Sequence, residues 1–269
     1  MTNILPKFVE TEFGQVHCRI AGKPSDKNTL ICLHQSPKST REFIPFMGSA
    51  SDDRLVIGID NPGHGESDVP PAPAGIEGYA RAAWAVIDAL AVGPVDLVGY
   101  HTGSSVAVEM AWQRPDDVGR LVLISTLIAT DAEREAFIHA FQPVPLDEAG
   151  SRFTRIWEKS LHYRGPGVTL EMLASSLAEQ LRAGDAYEWG HQAAFDYSTV
   201  FPERLSSLQH PITVLNPKDM LFEYTDRVRP FLFNGVVIEH PEWGEGFLET
   251  DPCGAADAVK SALGTVWRV

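Results

Sequence analysis

Short, strongly apolar runs alternate along the chain with longer segments in which apolar residues recur at helical spacing. The short runs are typical of buried strands and the longer segments of amphipathic helices. Such an alternation predicts parallel strands joined by helical crossovers. The apolar runs are NTLICLH, RLVIGID, PVDLVGY and GRLVLIST, and the helical segments between them are STREFIPFMGSA, GIEGYARAAWAVIDALAV and the stretch from about Gly103 to Gln113.

The two ends of the chain extend this pattern. Near the start, KFVETEF and QVHCRIAG flank Phe13-Gly14, which predicts an antiparallel hairpin. Near the end, the alternation resumes with PITVLNPKD, RVRPFLF and GVVIEHP, followed by a closing helix, GAADAVKSALGTVW.

The middle of the chain is different, because from about Leu127 to His210 it is mostly helical in pattern and rich in aromatic residues. A helical block inserted between sheet strands predicts a lid over the strand ends, where α/β sheets bind ligands. We therefore expect an α/β core formed by residues 1–126 and 211–269, with a helical lid at 127–210.

Composition narrows the classes of partner. The chain has 269 residues and a formal net charge of −14, which disfavours binding to nucleic acid or to anionic membranes. No apolar stretch is long enough to cross a bilayer, and the first residues lack a signal-peptide pattern, so we expect a cytoplasmic protein. Three widely spaced cysteines support neither a disulfide framework nor a thiolate zinc site.

Four motifs occur at the predicted strand ends, in a fixed order along the chain. They are LHQSPKS from Leu33, DNPGHGESD from Asp60, GYHTG from Gly99, and NPKD ending at Asp219 followed by EWGEGFLETDP. In this order and context they resemble the loops of the α/β-hydrolase fold, especially its lid-bearing esterase-like and haloalkane-dehalogenase-like members. The resemblance covers nearly the whole chain and implies a mostly parallel central sheet flanked by helices, with an inserted helical lid.

The resemblance also implies positions for the reactive groups. GYHTG corresponds to the G-x-S-x-G nucleophile elbow, so the backbone N–H of Thr102 is expected to donate to an oxyanion. LHQSPKS corresponds to the loop that supplies the second donor, at Ser36. Asp219 stands where the family has its triad acid.

Two positions depart from the family pattern. His101 replaces the nucleophile, and Glu245 replaces the base histidine, so the chain offers His, Glu and Asp in place of Ser, His and Asp. Neither carboxylate is a strong enough base to activate a nearby serine well, which disfavours an acyl-serine mechanism. An imidazole oriented by Glu245 or Asp219 could act as a general base or attack a carbonyl directly, and we prefer the first role because it requires less of the site.

These residues predict a cofactor-free hydrolase of a small apolar or aromatic ester, thioester or lactone, with His101, Asp219 and Glu245 as catalytic residues. His34, Trp189 and His191 are expected to line the substrate pocket. Two alternatives stay open: a lyase, decarboxylase or isomerase on the same scaffold, and a ligand-binding protein without catalysis. We expect no metal, although His34, His101, Asp219 and Glu245 could together hold a divalent ion. A homo-oligomer is compatible with the sequence.

Overall fold

A computed structural model describes residues 3–264 of the chain. Within these residues the strands form one eight-stranded sheet in the order β1-β2-β4-β3-β5-β6-β7-β8. The strands are β1 (Leu5–Thr11), β2 (Gly14–Ala21), β3 (Thr29–Leu33), β4 (Val56–Ile59), β5 (Val95–Tyr100), β6 (Val118–Ile124), β7 (Ile212–Pro217) and β8 (Gly235–His240).

The predicted hairpin is present at one edge of this sheet. β1 pairs antiparallel with β2 from Leu5↔Ile20 to Thr11↔Gly14, and β2 pairs antiparallel with β4. All later pairings are parallel. Every residue of β3 and β5 is buried, as expected for parallel strands covered on both faces.

Helices cover both faces of the sheet. On one face, α2 (Gly75–Ala89) packs against α3 (Thr102–Gln113); on the other, α1 (Ile44–Ala50) packs against α11 (Pro252–Gly264). Two separate apolar clusters result, one for each face. The predicted α/β-hydrolase fold, a mostly parallel sheet between two helical layers, is therefore confirmed.

The middle of the chain is helical as predicted. Between β6 and β7, a stretch that the structure describes in full, lie α4 (Asp131–Ala140), α5 (Ser151–His162), α6 (Leu170–Arg182), α7 (Trp189–Tyr197) and α8 (Phe201–Ser207). We call residues 127–210 the helical segment. Its role as a lid stays a prediction at this point.

Three details near the end of the chain refine the prediction. RVRPFLF forms a single 3-10 turn, Arg229–Phe231, instead of continuing the alternation, and a short helix α9 (Phe222–Asp226) precedes it. Another short helix, α10 (Phe247–Thr250), lies inside the EWGEGFLETDP motif. The predicted closing helix begins at Pro252, and its proposed last residues, 265–267, lie outside the described residues. No helix among the described residues is both long and apolar enough to cross a bilayer.

Candidate active site

A sharp turn between β5 and α3 presents His101 at the carboxyl end of the sheet. β5 ends at Tyr100, α3 begins at Thr102, and His101 between them has φ 47° and ψ −111°. This backbone conformation is strained for a residue with a side chain, and such strain is typical of functional sites.

The two flanking glycines are required by close backbone contacts. A Cβ on Gly99 would lie 2.2 Å from the carbonyl oxygen of Gly103, and a Cβ on Gly103 would lie 1.9 Å from the carbonyl oxygen of Leu33. Neither position can carry a side chain without displacing the backbone. The G-x-x-x-G spacing is therefore what allows His101 to project from the turn.

His101 is in direct contact with Asp219, which follows β7. Its Nε2 lies 2.9 Å from Oδ2 of Asp219. The same oxygen accepts a hydrogen bond from the Ser125 hydroxyl at 2.6 Å, and Oδ1 accepts one from the backbone N–H of Leu221 at 2.8 Å. Asp219 is thus fixed by two donors and is oriented toward the imidazole.

The surrounding charges favour the protonated imidazole. Burial by itself disfavours that form, but the negative charge of Asp219, the hydrogen bond to it and the charge of Glu245 together raise the pKa of His101 above its ordinary value. Because Nε2 donates to Asp219 in the neutral ring, Nδ1 carries the lone pair. No described residue forms a hydrogen bond with that nitrogen.

Glu245 lies nearby but has other partners. Its Oε1 accepts hydrogen bonds from Gln35 Nε2 at 2.8 Å and Lys38 Nζ at 3.3 Å, and its Oε2 accepts one from the Tyr100 hydroxyl at 3.2 Å. Burial opposes its ionisation, but the charges of Lys38 and His101 outweigh burial and lower the pKa of Glu245. No hydrogen bond joins Glu245 to His101 among the described residues, so Asp219 alone orients the imidazole.

Two backbone N–H groups are available beside His101. The N–H of Thr102, at the first turn of α3, donates to no acceptor within residues 3–264. In the H-Q-S-P loop, the Gln35 N–H donates to Glu42 Oε1 at 2.9 Å, which leaves the N–H of Ser36 as the uncommitted donor. Thr102 and Ser36 are the residues expected from the sequence to bind an oxyanion.

A cavity of about 110 Å³ lies beside His101 and is also lined by residues of the helical segment. An adjoining cavity of about 40 Å³ shares His101, Phe141, His191 and Met220 as lining residues. Their combined size suits a group comparable to benzene. The larger cavity is otherwise lined by Gln35, Ser36, Pro37, Lys38, Ile156, Lys159, Ser160, Tyr163, Leu173, Ser176, Gln180, Tyr187, Glu188 and Glu245.

Of the three residues predicted to line the pocket, only His191 does so. His34 is fully buried, with Nδ1 2.7 Å from the carbonyl oxygen of Gln35 and Nε2 accepting from the Asn61 N–H at 2.9 Å. Both ring nitrogens of His34 are therefore committed to holding loops together. Trp189 packs against the second motif, where a Cβ on Gly63 would lie 3.7 Å from its Cε3.

These positions also bear on the metal alternative. His101, Asp219 and Glu245 each offer a ligand atom within 4.8 Å of the others, but His34 is not part of the group. Lys38 neutralises Glu245 and His101 is bonded to Asp219, so the cluster is compensated by the chain's own charges. A divalent cation would therefore find little uncompensated negative charge to bind in this cluster.

The chain matches the family model for the alpha/beta hydrolase fold over residues 28–162, which is half of its length. It belongs to the α/β-hydrolase fold family. The match includes the first three motifs, so the resemblance seen in the sequence is confirmed for the family.

Relatives and solved structures agree with this assignment. The chain is 28% identical to a proline iminopeptidase of Lactobacillus acidophilus over 50% of its length and 48% of the relative's. It is 32% identical to an (E)-2-((N-methylformamido)methylene)succinate hydrolase of Acinetobacter baylyi over 40% of this chain and 42% of that protein. The aligned region is thus less than half the length of either relative.

An esterase from Exiguobacterium antarcticum has the same fold, with a TM-score of 0.77 and 16% identity over 97% of this chain and 100% of that one. At this identity the likeness shows the fold alone.

Several site residues were not anticipated from the sequence. Ser125 could have been expected, because it directly follows β6, between the strands that carry His101 and Asp219. Lys159 also had a signal, since α5 lines the cavity with Ile156, Lys159 and Ser160, at helical spacing along one face. A lysine on the inward stripe of an amphipathic helix is unusual. No comparable feature of the sequence pointed to Gln35, Lys38 or Tyr100.

Proposed function

We propose that this member of the α/β-hydrolase fold family hydrolyses small esters, thioesters or lactones, with His101 as its reactive base in place of a Ser-His pair. The observation that carries the proposal is the 2.9 Å contact between His101 Nε2 and Asp219 at the elbow, where His101 lines the cavity. The coarser statement, a hydrolase-fold protein related to named hydrolases, has the support of the family match and of the two curated relatives.

Ser104 does not offer an alternative nucleophile. Its hydroxyl oxygen lies 2.8 and 2.9 Å from the carbonyl oxygens of Gly99 and Ile124, so its one hydrogen is committed to them, and it accepts a hydrogen bond from the Ile124 N–H at 3.1 Å; the residue is 1% exposed. It serves to hold β5, β6 and α3 together. This arrangement disfavours an acyl intermediate on Ser104.

In the proposed reaction, the neutral imidazole takes a proton at Nδ1 from a water molecule as the water oxygen attacks the substrate carbonyl carbon. The carbonyl oxygen becomes negative and accepts hydrogen bonds from the N–H groups of Thr102 and Ser36. When this intermediate collapses, the leaving oxygen or sulfur receives the proton from Nδ1. Asp219 stabilises the imidazolium that exists between the two transfers.

We further propose that the helical segment, residues 127–210, is a lid that selects the substrate. The helices α5, α6 and α7 each contribute residues to the larger cavity, and Phe141, Tyr163 and Tyr187 make much of its lining apolar. Such a lining favours an apolar or aromatic portion of the substrate. The three-part division of the chain expected from the sequence fits this role.

A second candidate reaction is a proton transfer on carbon, as in a lyase or isomerase. The observation that favours it is the uncommitted pair of N–H donors beside a base that lacks a nucleophilic hydroxyl, because the same pair could hold an enolate. We place it second because the curated relatives carry the names of hydrolytic enzymes.

The test is turnover of p-nitrophenyl butyrate by the wild type and by His101→Ala. We expect the substitution to lower kcat/KM by about 10²- to 10⁴-fold, the usual contribution of a general base. His162→Ala, an exposed histidine at the end of α5, is the matched control and should retain wild-type turnover. Undiminished activity of His101→Ala would contradict the proposal.

Product analysis in water labelled with both ¹⁸O and deuterium separates the candidate reactions. Hydrolysis by an activated water places one solvent oxygen in the acid product. Proton exchange at a carbon next to the carbonyl, without ester cleavage, would favour the lyase or isomerase alternative. Binding without either change would favour a ligand-binding protein.

A further inference from the structure

A partly buried lysine lines the cavity from the helical segment without an anionic partner. Lys159, on α5, lines the larger cavity, and its Nζ lies 3.2 Å from the centroid of the Phe141 ring. No ion pair or hydrogen bond joins this ammonium to any residue in the part of the chain that the structure describes. Removing a cation even partly from water without a counter-charge costs free energy, and a bound anion would offset that cost.

The other charges near the cavity already have partners. Glu245 is paired with Lys38, and His101 with Asp219. Glu188, the carboxylate with the strongest influence on Lys159, is hydrogen-bonded to His191 Nδ1. Lys159 therefore differs from the neighbouring cations in having no committed carboxylate.

Polar side chains line the same cavity as Lys159. They are Ser160, on α5, and Ser176 and Gln180, on α6. The Ser160 hydroxyl donates to the Ile156 carbonyl oxygen at 2.8 Å, so the Ser176 hydroxyl and the second N–H of the Gln180 amide are the donors left for a carboxylate. Burial lowers the pKa of His191, Glu188 opposes this effect, and the positive charges of Lys159 and His101 lower the pKa further. Lys159, His191 and His101 all line this one cavity. One small molecule can therefore lie near Lys159 and His101 at once.

From this arrangement we infer that the substrate carries a carboxylate, or another compact anion, that binds Lys159 while its ester carbonyl faces His101. This inference rests on the proposed function for the reaction, but the binding of the anion is separable from it. Lys159 is thus a specificity-determining residue and takes no part in proton transfer.

Electrostatics predict how binding should depend on pH. Burial lowers the pKa of Lys159 to about 8, with Glu188 and Glu245 acting in the opposite direction and Arg155 in the same direction as burial. Because only the protonated amine attracts an anion, affinity for the carboxylate should fall as the pH rises through this range. His191, the remaining titratable group beside it, has its pKa lowered and is neutral there.

Two esters of equal acyl length test the inference: monomethyl succinate, which carries a carboxylate, and methyl butyrate, which carries a methyl group in its place. We expect kcat/KM for monomethyl succinate to exceed that for methyl butyrate by about tenfold or more, as for one charge-assisted hydrogen bond. Lys159→Met should abolish the preference, and Lys159→Arg should retain part of it. Arg155→Met, which removes an exposed cation of the same helix, should leave the preference intact.

A binding measurement keeps this inference distinct from the proposed reaction. In the His101→Ala protein, calorimetry should show tighter binding of monomethyl succinate than of methyl butyrate, and the difference should vanish when Lys159→Met is added. If neither ester is hydrolysed but this binding difference is found, the proposed reaction fails and the anion site stands. Equal binding of the two esters, or a preference that survives Lys159→Met, would overturn the inference.

Discussion

The two walls of the cavity differ in whether their charged side chains have partners of opposite charge. At the carboxyl ends of the strands, Asp219 is bonded to His101 and Glu245 is bonded to Lys38, so each charge has a partner within the chain. On the wall formed by α5, Lys159 has none among the described residues. The charges of the first wall are paired without a ligand, whereas the charge of the second wall is not. This difference suggests that the core determines the reaction and the helical segment determines the substrate.

The largest effect is expected where the backbone itself makes the turn. Gly103→Ala places a Cβ 1.9 Å from the carbonyl oxygen of Leu33, which the backbones of α3 and β3 cannot accommodate without moving apart. We expect a loss of more than ~4 kcal/mol in the free energy of unfolding, or no folded protein. Thermal unfolding measures this effect.

Gly48→Ala is the matched control for that substitution. Gly48 lies in α1, and a Cβ there would meet no atom within 4 Å. Alanine should be neutral or stabilise the protein by up to about 1 kcal/mol, because it has the better helix propensity. Equal effects of the two substitutions would show that the elbow does not depend on close backbone contact.

The next largest effect is expected at Asp219. Asp219→Asn removes the charge that raises the pKa of His101, and should lower kcat by on the order of 10²-fold. Since the base must be neutral, activity rises as the pH passes upward through the His101 pKa. Lowering that pKa should move the acid limb of the kcat profile to lower pH. An unmoved limb would show that Asp219 does not control the imidazole.

The smallest effect on catalysis is expected at Glu245, although Glu245 and Asp219 were both predicted from the sequence to be catalytic. Glu245→Gln leaves the Lys38 ammonium with only Glu42, at 3.9 Å, so we expect a loss of about 1–3 kcal/mol of stability. The effect on kcat should be less than about tenfold, because Glu245 has no hydrogen bond to His101. Glu242→Gln, an exposed residue of the same turn, serves as the control. A larger kcat loss at Glu245 than at Asp219 would reverse their assigned roles.

The comparison also explains what could be predicted from the sequence. The proximity of His101 to a carboxylate followed from motif order, because the carboxyl ends of parallel strands meet at one edge of a sheet. The choice between Asp219 and Glu245 did not follow from it. The absence of His34 from the pocket lining could not be predicted from the sequence. A motif does not specify which groups form hydrogen bonds with the ring nitrogens of a histidine. The Lys38–Glu245 pair joins residues far apart in the chain through side-chain direction alone. A functional role for Lys159 could be suspected from the sequence only because a charged residue occurs on the apolar stripe of an amphipathic helix.

The most direct test of the central claim is an NMR titration of the His101 imidazole in ¹⁵N-histidine-labelled protein, assigned with His101→Gln. Our account predicts a pKa above the ordinary value of about 6.5, a neutral ring protonated at Nε2, and a lower pKa in Asp219→Asn. A pKa at or below the ordinary value that does not change in Asp219→Asn, or a neutral ring protonated at Nδ1, would contradict it.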